Sequence, residues 1–576
     1  MVLKHLYTLL VVLVGFVIFR ADNMGQAFSM IGAMFSGGSA SAQTGLLLAQ
    51  CLTPLTLFAL AVGLVGSTPV LPLVCRKAEQ QTGSVYACLQ ALSYAGALAL
   101  LLVDILHLSA ASYVPFIYFQ FSGGKMQVKK LGYILFVGVI ATICILPVAV
   151  MPWQTEKAVG NEQLASFPEL RKEDGSFNTG ILNEFSDYFA DHFGLRHEMI
   201  TLNDQLTGTV LKTLDSSSVL LGKDDWLFYK STLADYTGTE LFTARQSYAA
   251  AHVLGLMQEY CEENGIGFCF TIAPNKNSLY SGQMPARYTA ASVRNAQLLQ
   301  QQMEQQNVRY VDLFKTLSDH EEQLYYRRDS HWNMRGAQLA AQTLLKELKG
   351  SEAEFDSCIN GKTSPHTGDL YEMVYPAGNE TEQDTAYDFT YQYDEKFHSA
   401  DDITIHTENS AADESIFVYR DSFGINLHPF LAQSYGNACF SRNMPYLLTA
   451  VTEEQPDVLL VELVERNLNW LLERAPEMPA PERTAVPAAD TGTSAKAQRK
   501  DSQMEGTFCL TGDLSGQCVD DDSPIYILAE TGTYEASPCG EGTQPFTAYL
   551  PQNVREQQLK AAFLSDGEWV FCALAD

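Results

Sequence analysis

The chain of 576 residues is too long for one domain, and its composition divides it into two unlike parts. Long apolar runs dominate residues 1 to about 152, whereas the remainder is polar and carries nearly all of the net charge of −30. Such an acidic surface argues against nucleic-acid binding, because phosphates require clustered Lys and Arg. We therefore expect a membrane region followed by an acidic soluble region.

Eight of the 12 cysteines lie in the polar part. They form no C-x-x-C pair or Cys/His cluster, so the sequence predicts neither a structural zinc site nor a metal in the functional site. If this part is extracellular, the cysteines are either free or paired in disulfides. The strongest candidates for pairing are the four nearest the C-terminus: Cys509, Cys518, Cys539 and Cys572.

Four apolar runs approach the length of a membrane-spanning helix, which needs roughly 20 residues. They cover residues 6–19, 46–64, 87–102 and 131–150. More runs follow the first one, and no small-residue cleavage site does, so the first run does not read as a cleaved signal peptide. We predict a multi-pass membrane region that closes with an anchor.

Basic residues beside these runs predict the topology. Lys4, Lys77 and Lys125 place their segments inside, so the last span delivers everything after Val150 to the outside. Between Lys77 and Lys125 the chain must cross an even number of times, yet only one clear span lies there. We expect the apolar segment 111–121 to help a second crossing or to re-enter the membrane.

Two motifs of the apolar part point to a family. They read Phe16-Val17-Ile18-Phe19-Arg20-Ala21-Asp22 and Ser112-Tyr113-Val114-Pro115-Phe116-Ile117-Tyr118-Phe119-Gln120-Phe121. They resemble the C-terminal end of the membrane-bound O-acyltransferase family, in the branch that acetylates polysaccharides. The central histidine region of that family has no counterpart here. The resemblance therefore implies a partial module that works with a separate acyltransferase subunit.

Strand-like and helix-like runs alternate through the polar part. Strands are predicted at 266–273, 308–313, 415–419 and 458–464, and helices at 243–263, 291–306, 336–348 and 425–435. This alternation indicates a mainly parallel α/β sheet, in which ligands lie beyond the carboxyl ends of the strands. Asn275, Ser422 and the pair Glu465-Arg466 each come just after a predicted strand, so we expect them at one edge of the sheet.

An acid and a histidine lie two residues apart in Asp329-Ser330-His331-Trp332-Asn333, just before a helix-like run. In an extended segment such side chains point the same way, so Asp329 could orient His331 as a base. A serine hydroxyl such as that of Ser422 becomes a nucleophile when a base takes its proton. We predict a triad of Ser422, His331 and Asp329, with Asp421 as an alternative orienting acid.

Other groups around Ser422 suit acyl transfer. Free backbone N–H groups at the start of the following helix, and the Asn275 side chain, could bind a developing oxyanion. Arg420 could bind an acidic polymer or pair with nearby acids. Simpler readings also exist, since a serine after a strand is commonly a helix N-cap and Asp-x-His is common on surfaces.

Five short motifs follow one another between about residue 155 and residue 470. They are Gly222 with Trp226-Leu227-Phe228, Pro274-Asn275-Lys276, Asp329-Ser330-His331-Trp332-Asn333, Asp421-Ser422-Phe423-Gly424, and Pro456-Asp457 with Glu465-Arg466. In order and spacing they resemble the DHHW proteins, SGNH-hydrolase-like domains related to periplasmic alginate O-acetyltransferases. Ser330 occupies the second position of the Asp-His-His-Trp motif, which leaves the predicted triad intact. The resemblance implies that Ser422 carries an acetyl group and passes it to a sugar hydroxyl. The residues expected to bind the oxyanion or the substrate are Asn275, Lys276, Arg420, Glu465 and Arg466.

The predicted fold is an α-helical transmembrane region followed by an α/β SGNH-hydrolase-like domain and a small C-terminal β module. Its boundaries are a partial acyltransferase-like region at 1–123, an anchor at 124–152, the catalytic domain at 153–470, a linker at 471–502 and the β-rich module at 503–576.

The leading functional prediction is a membrane-anchored, extracytoplasmic O-acetyltransferase that modifies an exported polysaccharide. It would bind no cofactor itself and would receive acetyl groups, ultimately from acetyl-CoA, through a partner acyltransferase in the membrane. One alternative is an acetylesterase with the same triad. The other is a non-catalytic polysaccharide-binding or assembly protein on a degenerate hydrolase fold. A long distance between Ser422 and His331 would exclude both catalytic readings.

Overall fold

The computed structural model describes residues 2–21, 23–36, 42–66, 130–154, 164–172, 175–214 and 216–575, with short pieces between 88 and 103. The chain separates into two compact units, residues 1–52 and 53–576. Several predictions for the apolar part fall outside the described residues. The predictions concern the basic residues Arg76, Lys77, Lys125 and Lys129. They also concern the segment 111–121 and most of the predicted span 87–102.

Five apolar helices are described in the N-terminal region. The first unit contains α1 (Val2–Arg20), α2 (Met24–Ser36) and α3 (Ala42–Cys51), and the second begins with α4 (Pro54–Gly66) and α5 (Lys130–Val150). Within the described part of the chain no single helix is both long and apolar enough to cross a membrane. The runs 43–51 and 54–65 meet that test only together, as one bent pair. The described helices therefore do not support the multi-pass prediction.

The α/β region follows α6 (Ile181–His192) and α7 (Arg196–Leu211). Its strands are β1 (Val219–Leu221), β2 (Leu227–Tyr229), β3 (Gly267–Ala273), β4 (Tyr310–Val311), β5 (Ile359–His366), β6 (Glu382–Tyr387), β7 (Gln392–Tyr393), β8 (Thr404–Glu408), β9 (Ser415–Tyr419), β10 (Asn437–Ser441) and β11 (Val458–Val464). Its helices are α8 (Leu233–Thr237), α9 (Ala244–Glu263), α10 (Lys276–Leu279), α11 (Asn295–Gln305), α12 (Leu313–Ser318), α13 (Met334–Lys349), α14 (Asp369–Val374), α15 (Gly424–Ser434), α16 (Leu448–Glu454) and α17 (Trp470–Glu473).

Seven strands form the central sheet, in the order β4-β3-β11-β9-β10-β8-β7. The first five are parallel, and β8 and β7 add an antiparallel edge. Successive residues of β3 face opposite sides, so Phe268 and Phe270 pack with α9 and α11 while Cys269 packs with α13 and α15. Both faces are thus covered, which is why the strands read as continuous apolar runs. The predicted mainly parallel α/β sheet is confirmed.

Eight strands form a second sheet at the C-terminal end. They are β12 (Glu482–Arg483), β13 (Ala489–Asp501), β14 (Thr507–Asp513), β15 (Ile525–Leu528), β16 (Thr533–Ala536), β17 (Pro545–Pro551), β18 (Lys560–Ser565) and β19 (Glu568–Ala575). The order is β12-β16-β15-β18-β19-β13-β14-β17. A bridge between Ser537 and Thr547 brings the end of β16 to β17, so the sheet curls into a half-barrel. Alternate residues such as Phe508, Phe546 and Phe563 fill its interior.

The structure differs from the predicted linker at 471–502. Residues 489–501 form β13, which pairs with β14 on one side and β19 on the other. Ala495 and Ala497 are buried at alternate positions, and the polar residues between them face outward. A strand whose inward positions hold only alanine lacks the large apolar residues that mark strands in sequence, so its composition resembled a linker.

The cysteines proposed for disulfide pairing are free thiols in the described structure. Cys539 and Cys572 are fully buried, and burial raises the pKa of both thiols. Cys539 belongs to the core shared with α9, whereas Cys572 points into the half-barrel. They serve as small buried hydrophobic groups.

A polar cluster joins the half-barrel to α9. Arg483 donates to both carboxylate oxygens of Glu259 at 2.5 Å and to Glu535 at 2.6 Å, and His252 Nε2 lies 2.9 Å from Glu535. Burial alone would raise the pKa of Glu535, but His252 and Arg483 outweigh it and lower that pKa. The half-barrel is therefore packed onto the α/β region through charged contacts as well as apolar ones.

Candidate active site

Three adjacent parallel strands deliver functional side chains to one edge of the sheet. β11 lies between β3 and β9, and all three run in the same direction. Asn275 follows β3, Ser422 follows β9 and Glu465 follows β11 directly. These residues meet at the carboxyl edge, as the sequence predicted.

Ser422, His331 and Asp329 form a continuous chain of hydrogen bonds. Ser422 Oγ lies 2.8 Å from His331 Nε2, and His331 Nδ1 lies 2.7 Å from Asp329 Oδ1. Asp329 is buried, whereas His331 and Ser422 are only partly so and remain accessible from solvent. With Nδ1 protonated and bonded to Asp329, Nε2 is free to accept the Ser422 proton. The distances are those of a Ser-His-Asp triad.

The Asp329 turn, defined here as residues 326–331, reaches this geometry without being an extended strand. Asp329 Oδ1 accepts both the backbone N–H of His331, at 2.8 Å, and the ring Nδ1. A bridge between Tyr325 and Trp332 closes the segment behind it. The acid and the base are thus joined by an Asx-type turn, which differs from the extended conformation predicted from their spacing.

Trp332 ties this turn to the serine. Its indole Nε1 donates to Phe423 O at 3.1 Å, and its own carbonyl accepts from Asn426 Nδ2 at 2.9 Å. Trp332 is completely buried, with its ring 5.0 Å from that of Phe423. Because Phe423 directly follows Ser422, and Trp332 directly follows His331, the tryptophan holds His331 and Ser422 in register.

A second layer of polar groups, which was not predicted from the sequence, surrounds Asp329. Asp329 Oδ2 accepts from His366 Nε2 at 2.8 Å and from the backbone N–H of Asp369 at 3.0 Å. The Asp369 carboxylate in turn accepts from Ser330 Oγ at 2.6 Å. The strand that ends at His366 is mostly exposed and has no apolar periodicity. The only available signal was a histidine and an aspartate three residues apart around Gly368.

Electrostatics favour an ionised Asp329. Burial alone would raise its pKa, but the charge and hydrogen bond of His331, together with His366, hold that pKa well below its usual range. Burial would likewise lower the pKa of His331, and the Asp329 contacts outweigh it so that this pKa is raised. Burial and the Asp329 charge raise the pKa of Asp369. The imidazole thus lies where its protonated form is stabilised, as a general base requires.

Asp329, His331 and Asp369 also offer ligand atoms within 4.8 Å of one another, a spacing that a metal ion could bridge. A metal there would compete for the oxygen and nitrogen atoms that connect the triad.

Lys276 supports the Asp329 turn from inside the domain. Its Nζ donates to the carbonyls of Tyr326, Arg327 and Asp329 at 3.2, 3.0 and 2.5 Å. The side chain is 4% exposed, and burial lowers its pKa from 10.5 to about 8 despite nearby carboxylates. Lys276 was expected to bind oxyanion or substrate, but the structure commits its ammonium group to backbone carbonyls.

Arg420 and Asp421 also differ from expectation. The buried Arg420 guanidinium donates to the carbonyls of Ala400 and Asp402 at 2.9 and 3.1 Å, which fastens a loop rather than presenting a cation to substrate. The Asp421 carboxylate accepts from the backbone N–H groups of Phe423 and Val464. Asp421 therefore shapes the serine turn, and it does not orient His331 in place of Asp329.

Asn275 supplies an unusual group at the edge of the sheet. Its side chain is 1% exposed, and within the described structure neither amide atom has a hydrogen-bond partner. Its backbone N–H donates to Glu465 Oε2 at 2.9 Å. Buried polar groups are nearly always satisfied, so this amide is available to a ligand atom or to a water molecule.

Glu465 and Arg466 have different surroundings. Glu465 is 2% exposed and accepts from Ser278 Oγ at 2.5 Å. Burial raises its pKa to about 7, against the opposing effect of Arg294. The Arg466 guanidinium lies 5.4 Å from the ring of Phe423 and 5.6 Å from that of Tyr229, close enough for its charge to oppose protonation of His331. Arg466 thus lies near the predicted base, whereas Glu465 holds the Asn275 backbone.

A polar cavity of about 510 Å³ opens between the α/β region and the half-barrel. Asp235, Arg245, Glu465, Arg466 and Gln544 are among its lining residues. Its volume is within the usual range for ligand sites.

A mainly parallel α/β sheet with Ser-His-Asp hydrogen bonding at its carboxyl edge defines a class of proteins that transfer or hydrolyse acyl groups. Comparison with protein families narrows this class. Residues 219–433 match the family described as SGNH hydrolase-like domain, acetyltransferase AlgX. This part of the chain is therefore an AlgX-like, SGNH hydrolase-like acetyltransferase domain.

The chain also matches the probable alginate O-acetylase AlgI of Pseudomonas putida, with 36% identity over 134 residues. This match covers 20% of the chain and 26% of AlgI, so the chain spans about a quarter of the length of that curated relative. AlgI is a membrane-bound O-acyltransferase, in agreement with the partial resemblance to that family.

Several solved structures are also similar. A DHHW family protein from Eubacterium siraeum is 17% identical, with a TM-score of 0.35, over 45% of this chain and 96% of that one. The O-acetyltransferase domain of Pseudomonas putida AlgJ is 20% identical, with a TM-score of 0.31, over 44% and 92%. Pseudomonas aeruginosa AlgX is 13% identical, with a TM-score of 0.32, over 65% and 98%.

Proposed function

We propose that this protein is a membrane-anchored, extracytoplasmic O-acetyltransferase that moves an acetyl group through Ser422 onto hydroxyls of an exported polysaccharide. The observation that carries the proposal is the hydrogen-bonded chain from Ser422 through His331 to Asp329. These three hydrogen-bonded residues lie at the carboxyl edge of the sheet, in the domain that matches an acetyltransferase family.

The first half of the reaction forms an acetyl-enzyme. His331 Nε2 takes the Ser422 proton while Oγ attacks the acetyl carbonyl of the donor. Ionised Asp329 stabilises the imidazolium that results. Collapse of the tetrahedral intermediate then breaks the bond to the donor group, which leaves with the proton that His331 returns.

The second half repeats these proton transfers in the opposite sense. A sugar hydroxyl gives its proton to His331 Nε2 and attacks the acetyl carbon, and Ser422 Oγ leaves with that proton. The products are the acetylated sugar and the free serine. An enzyme whose site admits the sugar hydroxyl in preference to water acts as a transferase.

Asn275 is the proposed side-chain donor to the oxyanion in both halves. Among the described residues its buried amide has no hydrogen-bond partner, and its position is held by the bond from its backbone N–H to Glu465. The Ser422 N–H is the proposed second donor, because Ser422 lies in the turn between β9 and the start of α15. A donor fixed before the reaction stabilises developing charge without reorganisation.

Lys276, Arg420 and Glu465 are proposed to act indirectly, since each is buried and bonded to other protein groups. Arg466 is the remaining candidate for direct substrate contact. It lines the cavity of about 510 Å³ between the α/β region and the half-barrel, which would give a polymer a route towards Ser422.

The acetyl donor and the location are part of the same proposal. The similarity to about a quarter of AlgI supports a role for this protein in acetylation machinery. That machinery would include a complete membrane acyltransferase as a separate partner. That partner would deliver acetyl groups derived from acetyl-CoA. The apolar helices α1 to α5 would anchor the chain in the membrane.

The test uses the purified full-length chain with p-nitrophenyl acetate as donor and neutral or acidic oligosaccharides as acceptors. Intact-mass and peptide spectrometry should find one acetyl group on Ser422 and acetyl esters on the acceptor. Ser422→Ala should reduce transfer by about 10⁴-fold or more. Exposed Ser281→Ala is the matched control and should retain wild-type transfer.

Acetylated acceptor at wild-type yield from Ser422→Ala would disprove the assignment of the nucleophile. Release of acetate without any acceptor ester would favour the acetylesterase alternative, which uses the same triad. Saturable polysaccharide binding with neither activity would favour the non-catalytic alternative.

A further inference from the structure

A second cluster of chemically active side chains lies away from the triad, on the antiparallel side of the sheet. His406, Cys439 and Glu454 each offer one ligand atom, and these atoms lie within 4.8 Å of one another. His406 Nε2 is 3.1 Å from Glu454 Oε1. One nitrogen, one sulfur and one oxygen atom thus lie close together.

The fold brings these residues together by strand register. Cys439 of β10 lies directly opposite His406 of β8 in an antiparallel pair. Residues directly opposite each other in such a pair extend from the same face of the sheet. Glu454 is the last residue of α16, and its carboxylate reaches this pair from the helix end.

We propose that His406, Cys439 and Glu454 bind a divalent zinc ion. Zinc takes thiolate at about 2.3 Å, and imidazole and carboxylate at about 2.0–2.2 Å, in tetrahedral sites. Such bond lengths separate neighbouring ligand atoms by roughly 3.3–3.8 Å, so the existing spacing needs only small side-chain shifts. The mixed donor set suits zinc better than magnesium or calcium, which prefer oxygen alone.

A second carboxylate supports this assignment. Asp394 Oδ2 lies 3.8 Å from His406 Nδ1, whereas Nε2 is the ring nitrogen beside Glu454, and Asp394 N donates to His406 O. Histidines that bind metals commonly have the other nitrogen oriented by such a carboxylate. An exposed His-Glu ion pair alone would explain neither Asp394 nor the nearby thiol.

The three side chains of the proposed site differ in their exposure to solvent. Cys439 is 3% exposed, whereas the side chains of His406 and Glu454 are 44% and 42% exposed. A metal can therefore enter from solvent, and water can fill the fourth position. Binding replaces the Cys439 S–H bond with a zinc–sulfur bond and releases the proton to solvent. The ion would then link α16 to the antiparallel edge of the sheet, which is a structural role.

The test starts from the full-length chain stripped with EDTA, to which Zn²⁺ alone is added. After desalting, elemental mass spectrometry should find one zinc per chain. Cys439→Ser and His406→Gln should each lose the bound zinc, and Asp394→Asn should weaken its affinity by about 10- to 100-fold. Cys518→Ser and His398→Gln are the controls, because both residues are exposed and outside the cluster; they should bind like the wild type.

Cd²⁺ in place of Zn²⁺ adds a spectroscopic readout. A thiolate-to-cadmium absorption band should appear with the wild type and disappear with Cys439→Ser. Wild-type zinc content no higher than that of Cys439→Ser would overturn the proposal. So would zinc that Asp369→Asn removes and Cys439→Ser does not, because the metal would then bind at the triad.

Folding of the variants is checked by circular dichroism. If Cys439→Ser does not fold, Glu454→Gln decides the question, since this side chain is partly exposed and its loss leaves the core intact. Weakened zinc binding by folded Glu454→Gln supports the site. The proposal is refuted if folded Glu454→Gln and His406→Gln both bind zinc with wild-type affinity.

Discussion

Replacement of Glu465 by glutamine should make the protein more stable at neutral pH while leaving Asn275 in place. Glu465 is 2% exposed, and one of its carboxylate oxygens has no hydrogen-bond partner among the described residues. Glutamine keeps the volume and one oxygen acceptor for the Asn275 N–H and the Ser278 hydroxyl. It removes the ionisable proton and with it the need to bury a charge next to Asp235.

The magnitude follows from the raised pKa of Glu465. Burial moves that pKa from its ordinary value of 4.5 to about 7. Each pH unit corresponds to 1.36 kcal/mol, so the folded state disfavours the carboxylate by about 3 kcal/mol. Because the pKa of Glu465 is raised in the folded state, protonation of its carboxyl group stabilises the folded protein. This stabilisation is fully present below pH 4.5 and is lost as the pH rises to about 7.

Unfolding of the full-length chain, followed by circular dichroism at pH 5 and pH 7.5, measures this directly. The difference between wild type and Glu465→Gln should change by about 2 kcal/mol in favour of the variant, a midpoint shift of roughly a few °C for a chain of this size. Glu465→Leu is the contrasting variant, because it leaves the Asn275 N–H without an acceptor and should destabilise the protein by about 1–3 kcal/mol. A wild-type-to-glutamine difference that is equal at both pH values would refute the assigned pKa.

Three further predictions concern the Asp329 turn. Asp369→Asn removes a charge that raises the pKa of His331, so the acid limb of the pH–rate profile, where the base becomes protonated, should move to lower pH. Lys276→Met removes the Lys276 donor from the buried carbonyls of Tyr326 and Asp329, whereas Arg327 O still accepts from the Leu227 N–H. We expect it to cost about 3–5 kcal/mol of unfolding free energy and most of the acetyl transfer. Gly368→Ala places a Cβ against the Arg328 carbonyl and 2.9 Å from the Asp329 nitrogen, which should destabilise the fold by about 1–3 kcal/mol and lower kcat more than it raises KM.

Two of these predictions, Lys276→Met and Gly368→Ala, have a matched control variant. Lys223→Met removes an exposed lysine whose ammonium group donates to Gly282 O, and it should leave stability and transfer near wild type. Gly282→Ala adds a Cβ with nothing within 4 Å. An unshifted acid limb in Asp369→Asn would show that His331 does not limit the rate at low pH. Equal effects of Gly282→Ala and Gly368→Ala would show that the collision with the turn is not the cause.

The sequence predicted the α/β sheet and its functional edge because both depend on local patterns. Continuous apolar runs marked the buried strands, and the edge followed from where those runs end. Ser422 and His331 could be paired because each occupied a recognisable position relative to a predicted strand or helix. The hydrogen bond between them, at 2.8 Å, agrees with that pairing.

Contacts made by tertiary structure could not be predicted in the same way. His366 and Asp369 lie 37 and 40 residues after Asp329, beyond a strand with little apolar character. Lys276 was expected to bind the oxyanion or substrate as part of the Pro274-Asn275-Lys276 motif, and the sequence does not show that its side chain is buried. The strand at 489–501 was missed because its buried positions are alanines, and His406 and Cys439 meet only through strand register.

The geometry of the triad therefore depends on residues outside the sequence motifs. The Asp329 turn is neither helix nor strand, so no ladder of hydrogen bonds fixes it. Lys276 holds its carbonyls, His366 and the Asp369 N–H hold the acid, and Gly368 allows the two segments to approach. Loss of Lys276 would leave Asp329, Ser330, His331 and Trp332 unchanged in sequence and still displace the base from Ser422. A related chain that keeps the motif but lacks these supports should therefore bind acceptor without transferring acetyl groups.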